Sequence, residues 1–508
     1  MNNRKAISFN MLANTISFVF ATVLSFYLTP FITKRVGIEA YGLVALANSF
    51  LSYITLFTAA LNSMASRFII IEIHKSRFEI ANEYFSSVLI ANIIIALILT
   101  LPAGWLILNL EKINVSQYLI FDAQVTFAIV ILSFFCSSIG AFYGIVLYSQ
   151  NILYKGGFRT VESNIIRLTL ILLLFSFLDT RIFYVALATF IAGLYPLIWN
   201  IHYTHKFLPK LKVKVKSFSK RAIKTLISSG IWNSVTKLSH ILLDGVDLLL
   251  CNLFIGGVMT GNLSVAKTIP ALFISLISVI SDSFTPKYYS LYAKQDHNGL
   301  FSYLKSSLDI VAVISSICLA IFIVYCRDFY KLWLPGQNDM LISNLTIISL
   351  GTALTGSTVY PLFSIFSLTN KLKLNSLVMV GTGVVSFVLT VICLKTTNWG
   401  VYAIVGITAI LGICRNLIFT PIYGAHCLHL PKTSFYPRLI RNYLNIGVLL
   451  TICYCIKLIL IPNNWLSLLT NITFCGLIGI VISLFIVFSK EQRKLLYGQM
   501  VGKISKFR

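Results

Sequence analysis

Apolar segments long enough to cross a lipid bilayer recur along this chain from end to end. A transmembrane helix needs about 20 apolar residues, and segments of that kind fill most of the 508 residues. The pattern predicts an all-α integral membrane protein with about fourteen transmembrane helices. The predicted spans are 8–33, 43–66, 84–110, 119–149, 164–178, 182–201, 225–254, 262–285, 306–326, 341–369, 376–394, 399–422, 442–461 and 467–489.

The charged residues set a predicted orientation for these spans. Most of the 41 Lys and Arg residues fall in alternate loops, on the side that also holds both termini. By the positive-inside rule this side, with both termini, faces the cytoplasm. The expected location is the cell inner (plasma) membrane. The net charge of +25 follows from this loop pattern, so it predicts contact with anionic membrane lipids and no nucleic-acid partner.

A basic loop at 202–224 divides the spans into two groups. It predicts an N-terminal six-helix bundle and a C-terminal six-helix bundle joined by a cytoplasmic linker. Two further helices and a basic cytoplasmic tail follow the second bundle. The predicted boundaries are 1–201, 202–224, 225–422, 442–489 and 490–508.

A weak internal repeat at an offset of 219 residues supports the two-bundle prediction. The stretch 36–47 resembles the stretch 255–266, and each lies near the beginning of its predicted bundle. An even number of spans between the copies gives both the same orientation, as in parallel-repeat transporters. The matched pairs are Asn14 with Asn233, Gly37 with Gly256 and Gly42 with Gly261.

Four polar residues interrupt the apolar span 225–254. Regular helical steps of 100° would place Lys237, His240, Asp244 and Asp247 on one stripe. Charged groups at bilayer depth are costly, so they normally face a polar cavity, a partner or a transport path. The stripe is therefore the first candidate for a functional site, and an ion pair between Lys237 and Asp244 that braces the helices is the structural alternative.

The remaining Cys and His residues do not indicate a metal site. The ten Cys lie mostly within predicted spans, where small buried apolar side chains are expected. Cys and His lack the spacing that tetrahedral metal sites need. The sequence predicts no metal and no cofactor.

Three sequence stretches resemble bacterial polysaccharide-repeat flippases of the Wzx type. They are YLTPFITKRVGIEAYGL from Tyr27, ALNSMASRF ending at Phe68, and DGVDLLLCNLFIGGVMTGNLSVA from Asp244. This family belongs to a superfamily that also includes multidrug MATE exporters and the lipid II flippase. The resemblance implies two bundles in a V-shaped, MATE-like arrangement around a central cavity that opens alternately to each side.

The resemblance also implies a function. A Wzx-type protein moves undecaprenyl-diphosphate-linked oligosaccharide repeat units from the cytoplasmic to the outer leaflet, for O-antigen, capsule or another surface polysaccharide. Polysaccharide polymerase and other assembly proteins are then expected partners. A MATE-like drug or cation antiporter and a lipid II flippase are the alternatives. An enzyme is not expected, because the outer loops are short and no catalytic domain is visible.

Within such a cavity, the cations are expected to bind the substrate. Lys237 is expected near mid-membrane, where it would meet phosphate or sugar. Arg167 and Arg415 would bind diphosphate, or would extend to a nearby cytoplasmic interface. Arg67 would capture diphosphate at the cytoplasmic mouth, or would mark the membrane boundary.

The acidic end of the stripe suggests coupling to protons or cations. Two carboxylates spaced i, i+3 in a low-dielectric environment favour shared proton binding. His240, one turn earlier, could share that proton. Asp247 alone is equally explained as a polar group at the end of its span.

Overall fold

The computed structural model describes residues 3–488 and residue 493, and these residues are almost entirely helical. No strand occurs among them. Fourteen helical passes, α1 to α14, correspond one to one with the predicted spans. The first seven are α1 Asn3–Val36, α2 Ile38–His74, α3 Phe78–Leu108, α4 Gln117–Ser149, α5 Leu153–Phe177, α6 Phe183–Phe207 and α7, which comprises Lys220–His240, Ile241–Gly245 and Val246–Phe254.

The other seven passes complete the chain. They are α8 Gly257–Asp282 with a short continuation Thr285–Ala293, α9 His297–Trp333, α10 Asp339–Leu368, α11 Leu372–Thr396, α12 Val401–Cys427, α13 Tyr436–Ile459 and α14 Trp465–Ile486.

Thirteen helices in the described part of the chain are long and apolar enough to cross a membrane. The pass outside that set is α7, whose first segment carries Lys237 and His240 and which is interrupted by a π-helical turn at Ile241–Gly245. The predicted all-α membrane fold is confirmed. Most helices extend several residues beyond the apolar spans because polar residues at the interface continue the helix.

The helices of one compact unit alternate in direction, as consecutive membrane crossings require. This unit contains the residues up to Ser264 and Ser376–Val401. Helices α1 and α5 run parallel, since Asn10 hydrogen-bonds Asn151 at 2.8 Å near their beginnings and Phe31 stacks on Phe175 near their ends. Helices α2 and α7 run antiparallel, since Ala60 lies against Gly230 and the earlier residue Tyr53 contacts the later residue Gly245. In these two pairs, two odd-numbered passes are parallel, and an even-numbered and an odd-numbered pass are antiparallel.

The second unit, which contains Val265–Asn375 and the residues from Tyr402 onward, follows the same rule. Helices α9 and α13 are parallel: Arg438 pairs with Asp309 at 3.2 Å near one end, and Lys457 pairs with Asp328 at 2.5 Å near the other. Helices α9 and α14 are antiparallel, because Tyr325 lies against Cys475 and the earlier residue Ile317 lies against the later residue Gly479.

Each of the two compact units is discontinuous in the sequence. Helix α7 and most of α11 group with α1–α6, because α7 packs against α2 and α3 and α11 packs against α7. The predicted bundle boundaries 1–201 and 225–422 therefore stay a prediction, as do the linker 202–224 and the helix pair 442–489. The tail 490–508 lies outside the described residues, apart from Arg493.

Several contacts support the 219-residue repeat. The Ser17 hydroxyl donates to the carbonyl of Gly157 at 2.6 Å, between α1 and α5. At the same offset, the hydroxyls of Thr236 and Ser376 lie 2.8 Å apart, between α7 and α11. The same side-by-side helix pairing therefore occurs once in each half of the sequence.

The glycines of the repeat have structural counterparts too. Gly37 and Gly256 precede α2 and α8 with φ values of +87° and +124°, a region that favours glycine. Gly42 and Gly261 approach each other so closely that a Cβ on Gly42 would lie 2.7 Å from the Gly261 nitrogen. Two equivalent positions in contact are what a local two-fold relation between the copies would produce.

Candidate functional site

Helix α7 is held against α2 by a backbone-to-backbone crossing. Gly230 of α7 is buried, and a side chain at this position would collide with the carbonyl group of Ala60 on α2. Glycine permits this approach because it has no Cβ. The close crossing fixes the polar segment of α7, which follows within two to five turns.

A π-turn interrupts α7 within the polar segment. Residues Ile241–Gly245 adopt π-helical geometry, and the Tyr53 hydroxyl of α2 donates to the Gly245 carbonyl at 2.6 Å. A π-turn adds one residue to a helical turn and frees backbone groups for other partners. Tyr53 takes up one of these freed carbonyls, so α2 stabilises the irregularity.

The π-turn corrects the predicted stripe. Regular 100° steps are wrong from Ile241 onward, since one extra residue turns the following helix back by roughly 100°. His240 and Asp244 are exposed, whereas Asp247 is only 4% exposed and lies within electrostatic range of Tyr53. Asp247 therefore does not share the exposed face of His240 and Asp244.

Lys237 lies near the middle of α7, seventeen residues or about 26 Å from the first residue of the helix, Lys220. Its side chain is partly buried. It forms no ion pair with a carboxylate in the described part of the chain. The bracing pair between Lys237 and Asp244, which was the structural alternative, is thus not formed.

Arg167 lies deeper in its helix than the apolar span suggested. Helix α5 begins at Leu153 rather than at residue 164, which places Arg167 about 21 Å from the helix start. Its Nε atom is buried and has no hydrogen-bond partner among the described residues. The side chain lies within electrostatic range of Tyr41, whose hydroxyl is 3.3 Å from that of Thr29.

Arg415 occupies a comparable depth in the second unit. It is fourteen residues, about 21 Å, from the beginning of α12 at Val401 and opens a second π-turn, Arg415–Phe419. The next residue, Asn416, is buried and donates to the Thr352 carbonyl and the Thr355 hydroxyl, both at 3.3 Å. This pair of hydrogen bonds anchors the π-turn against α10.

The other sequence-selected residues lie at helix ends or on surfaces. Arg67 is exposed near the end of α2, and Asn14 is exposed on α1. Asn233 is partly buried on α7, one turn before Lys237. Their predicted roles stay predictions.

One charged cluster was not selected from the sequence. Arg159 and Glu162 of α5 pair at 2.5 Å, and the Tyr195 hydroxyl of α6 donates to the same carboxylate at 2.8 Å. The Arg159 guanidinium lies 4.0 Å from the centroid of the Trp199 ring. The i, i+3 spacing of Arg159 and Glu162 was the available signal, but the aromatic partners come from another helix.

The described residues contain no group of three or more His, Cys, Asp or Glu side chains that could hold a metal ion. The chemical character of the candidate residues in each unit therefore comes from their charged groups and from the π-turn of that unit.

Fourteen helical passes in the described part of the chain, three of them with a cation near the middle, indicate a multi-pass membrane protein, and known structures agree on the fold. The lipid II flippase MurJ in an inward closed conformation matches with a TM-score of 0.73 and 16% identity, covering 93% of this chain and 98% of that one. An inward-facing multidrug resistance MATE transporter of the MOP superfamily matches with a TM-score of 0.66 and 14% identity, covering 81% and 94%. The fold is thus that of the MATE and MurJ transporters and flippases.

The chain belongs to the polysaccharide biosynthesis protein family, whose sequence profile matches residues 4–286. It is also 29% identical to the uncharacterized membrane protein EpsK of Bacillus subtilis (strain 168), over 96% of both chains. The resemblance drawn from the sequence motifs is confirmed at the level of the family and of the fold.

Proposed function

We propose that this protein is a flippase for undecaprenyl-diphosphate-linked oligosaccharide repeat units. It moves them from the cytoplasmic to the outer leaflet of the cell inner membrane by alternating access, with both termini in the cytoplasm. The flipped repeat units are then used by polysaccharide polymerase and other assembly proteins to build O-antigen, capsule or another surface polysaccharide. The chain's membership of a polysaccharide biosynthesis family and its flippase fold support this proposal.

The observation that carries the proposal is the depth of three cations. Lys237, Arg167 and Arg415 each lie near the middle of a long helix. Lys237 has no carboxylate partner, and the Arg167 Nε has no acceptor, within the described residues. Lys237 and Arg167 are retained at this depth without a carboxylate partner among the described residues, which favours an anionic substrate.

The substrate chemistry fits such groups. A diphosphate and its glycan cannot cross hydrocarbon unaided, whereas the polyprenyl tail can remain in the lipid. Arginine binds phosphate through a planar fork and lysine as a point charge. In the proposal Arg67 first meets the diphosphate at the cytoplasmic end of α2, and Lys237 and Arg167 of the first unit bind it at mid-membrane. Arg415 is proposed as a further diphosphate-binding group, within the second unit.

The membrane potential favours this direction of transport. A diphosphate carries about two negative charges, and each charge gains about 2.3 kcal/mol per 100 mV when it leaves the negative cytoplasm. The field therefore contributes roughly 4–5 kcal/mol per 100 mV to each export step, provided that the bound cations stay in place.

Proton or cation coupling would then serve to return the empty carrier. His240 and Asp244 share an exposed face, whereas Asp247 is buried near Tyr53. We propose His240 and Asp244 as the exchangeable pair. We propose a separate role for Asp247: protonation of its carboxylate changes how its side chain packs near Tyr53 of α2.

Flipping by the purified, full-length protein in proteoliposomes tests the proposal. A fluorescent polyprenyl-diphosphate oligosaccharide is added, and its exposure is followed with a membrane-impermeant reagent that attacks the glycan. We expect flipping that accelerates when a potassium gradient with valinomycin makes the starting side negative. Flipping that responds to voltage but never to a pH gradient would remove the proton coupling and leave the substrate assignment intact.

The two alternatives give different results in the same vesicles. A MATE-like antiporter would exchange a cationic drug for protons and leave the glycolipid in place. A lipid II flippase would move lipid II in preference to oligosaccharide repeat units. Either result would overturn the proposed substrate.

A further inference from the structure

The segment between α6 and α7 packs along the side of α3, and side chains of α3 hydrogen-bond its backbone. We call residues 208–219 the strap. The Asn82 side chain donates to the carbonyl of Lys210 at 3.1 Å and accepts from the N–H of Lys212 at 2.8 Å. The Ser86 and Ser87 hydroxyls accept from the N–H groups of Lys214 and Ser219 at 2.9 and 2.8 Å.

The strap is anchored by apolar contacts as well. Leu208 and Leu211 are 4% and 3% exposed and belong to the same core as Phe85 and Val88 of α3. Asn82, Ser86 and Ser87 are themselves buried. Their side chains therefore hydrogen-bond backbone N–H and carbonyl groups of the strap at buried positions, where water has little access.

The outward side of the strap is cationic. Lys210, Lys212, Lys214 and Lys216 are all exposed, and none forms an ion pair with a residue that the structure describes. No acidic residue occurs between Asp179 and Asp244. The strap therefore presents a dense positive charge that no neighbouring carboxylate in the sequence neutralises.

Exposed apolar side chains alternate with these lysines. Val213 and Val215 are 39% and 77% exposed, and Phe218 is 36% exposed. Lys214 has extended backbone, whereas Val215–Ser217 form a short 3-10 helix, so exposed lysines and exposed valines lie next to each other on the strap. A surface that combines cationic and apolar side chains is typical of segments that lie in the membrane interface.

The depth of the strap agrees with an interfacial position. Asn82 and Ser86 lie about 6 and 12 Å along α3 from its first residue, Phe78. The apolar span predicted for this helix begins at residue 84, between these two anchors. The strap therefore crosses the level at which lipid headgroups meet hydrocarbon, and not the level of the open cytoplasm.

We infer that the strap is a preformed binding surface for anionic phospholipid headgroups of the cytoplasmic leaflet. Its lysines bind the phosphates, its valines and Phe218 contact the upper part of the acyl chains, and α3 holds the backbone in position beforehand. This inference goes beyond the proposed transport function and stands without it.

Native mass spectrometry of the full-length protein in detergent tests the inference. Phosphatidylglycerol, phosphatidylcholine and undecaprenyl phosphate are titrated separately. The strap variant is Lys212→Gln with Lys214→Gln and Lys216→Gln. We expect its affinity for phosphatidylglycerol to fall by at least about fivefold, the effect of one lysine near an anionic surface, with little change for phosphatidylcholine.

A matched variant removes the same charge elsewhere on the predicted cytoplasmic side: Lys287→Gln, Lys294→Gln and Lys432→Gln, all exposed. It should retain phosphatidylglycerol binding within about twofold, because its lysines are not held in one row. An equal loss in both variants, or no loss in the strap variant, would overturn the inference. Undecaprenyl phosphate binding that exceeds phosphatidylglycerol binding and depends on the strap lysines would reassign the surface to substrate capture.

A second pair of variants tests the role of α3. Ser86→Ala with Ser87→Ala keeps every lysine but removes two acceptors of the strap backbone. Ser315→Ala with Ser316→Ala removes two buried hydroxyls whose hydrogen bonds to described residues lie within their own helix, α9. We expect weaker phosphatidylglycerol binding in the first variant alone, and equal binding in the two would show that the strap does not need α3.

Discussion

Replacing Lys237 by Gln should slow transport without unfolding the protein. No ion pair is broken, because Lys237 has no carboxylate partner among the described residues, so the free energy of unfolding should change by less than about 1 kcal/mol. A hydrogen bond to a charged group contributes about 1.5–3 kcal/mol. Losing one from Lys237 to a diphosphate should therefore lower the apparent kcat/KM for flipping by about 10- to 100-fold.

The assay is initial-rate flipping in proteoliposomes over a range of substrate concentrations, with thermal unfolding in detergent as the stability measurement. Lys237→Arg should restore most of the activity, since it retains the charge. Lys224→Gln, an exposed position in the first turns of the same helix, is the matched control and should flip at the wild-type rate. A folded Lys237→Gln protein with wild-type kcat/KM would refute the role of Lys237 in holding the substrate.

Three further changes test the packing that positions the site. Tyr53→Phe removes the hydrogen bond to Gly245 and should cost about 1 kcal/mol of stability, measured by thermal unfolding; a Tm equal to the wild type would mean that the π-turn does not need Tyr53. Arg438→Gln removes the ion pair with the 1%-exposed Asp309 carboxylate and should cost more stability than the loss of an exposed ion pair. By contrast, Arg327→Gln, at the more exposed pair with Asp339, should cost under about 1 kcal/mol, so equal losses would contradict the burial argument. Gly42→Ala places a methyl group against Gly261 and should lower stability by about 1–3 kcal/mol, whereas Gly104→Ala, with open space around its Cβ position, should not lower it.

The number of passes could be predicted because it depends on local composition alone. A stretch of apolar residues long enough to span a bilayer must form a helix wherever it lies in the fold. Helix ends could not be predicted equally well, since interfacial polar residues can either continue a helix or leave it. Leu153 to residue 163 continues α5, and this continuation places Arg167 at mid-helix instead of near an end.

The details of the site depended on other helices. The π-turn at Ile241–Gly245 is stabilised by Tyr53, which is almost 200 residues away in the sequence, so helical periodicity alone misplaced Asp247. The strap depends in the same way on Asn82, Ser86 and Ser87. In the sequence these three residues were only polar interruptions at the beginning of an apolar span.

The two halves of the repeat share their packing but not their chemistry. The α1–α5 contact at Ser17 has its counterpart in the α7–α11 contact at Thr236, so both first helices are held in the same way. Yet the counterpart of the π-turn, residues 22–26 in α1, is regular α-helix, and the counterparts of Lys237 and Asp244 are Phe18 and Ser25. The shared contact precedes the π-turn by only one to two turns. Helix α7 can therefore keep the packing that α1 has before this point, while the π-turn changes the direction in which its later side chains point. The charged residues and the irregular turn therefore belong together, and a variant that made 241–245 regular should disturb transport even with every charge retained.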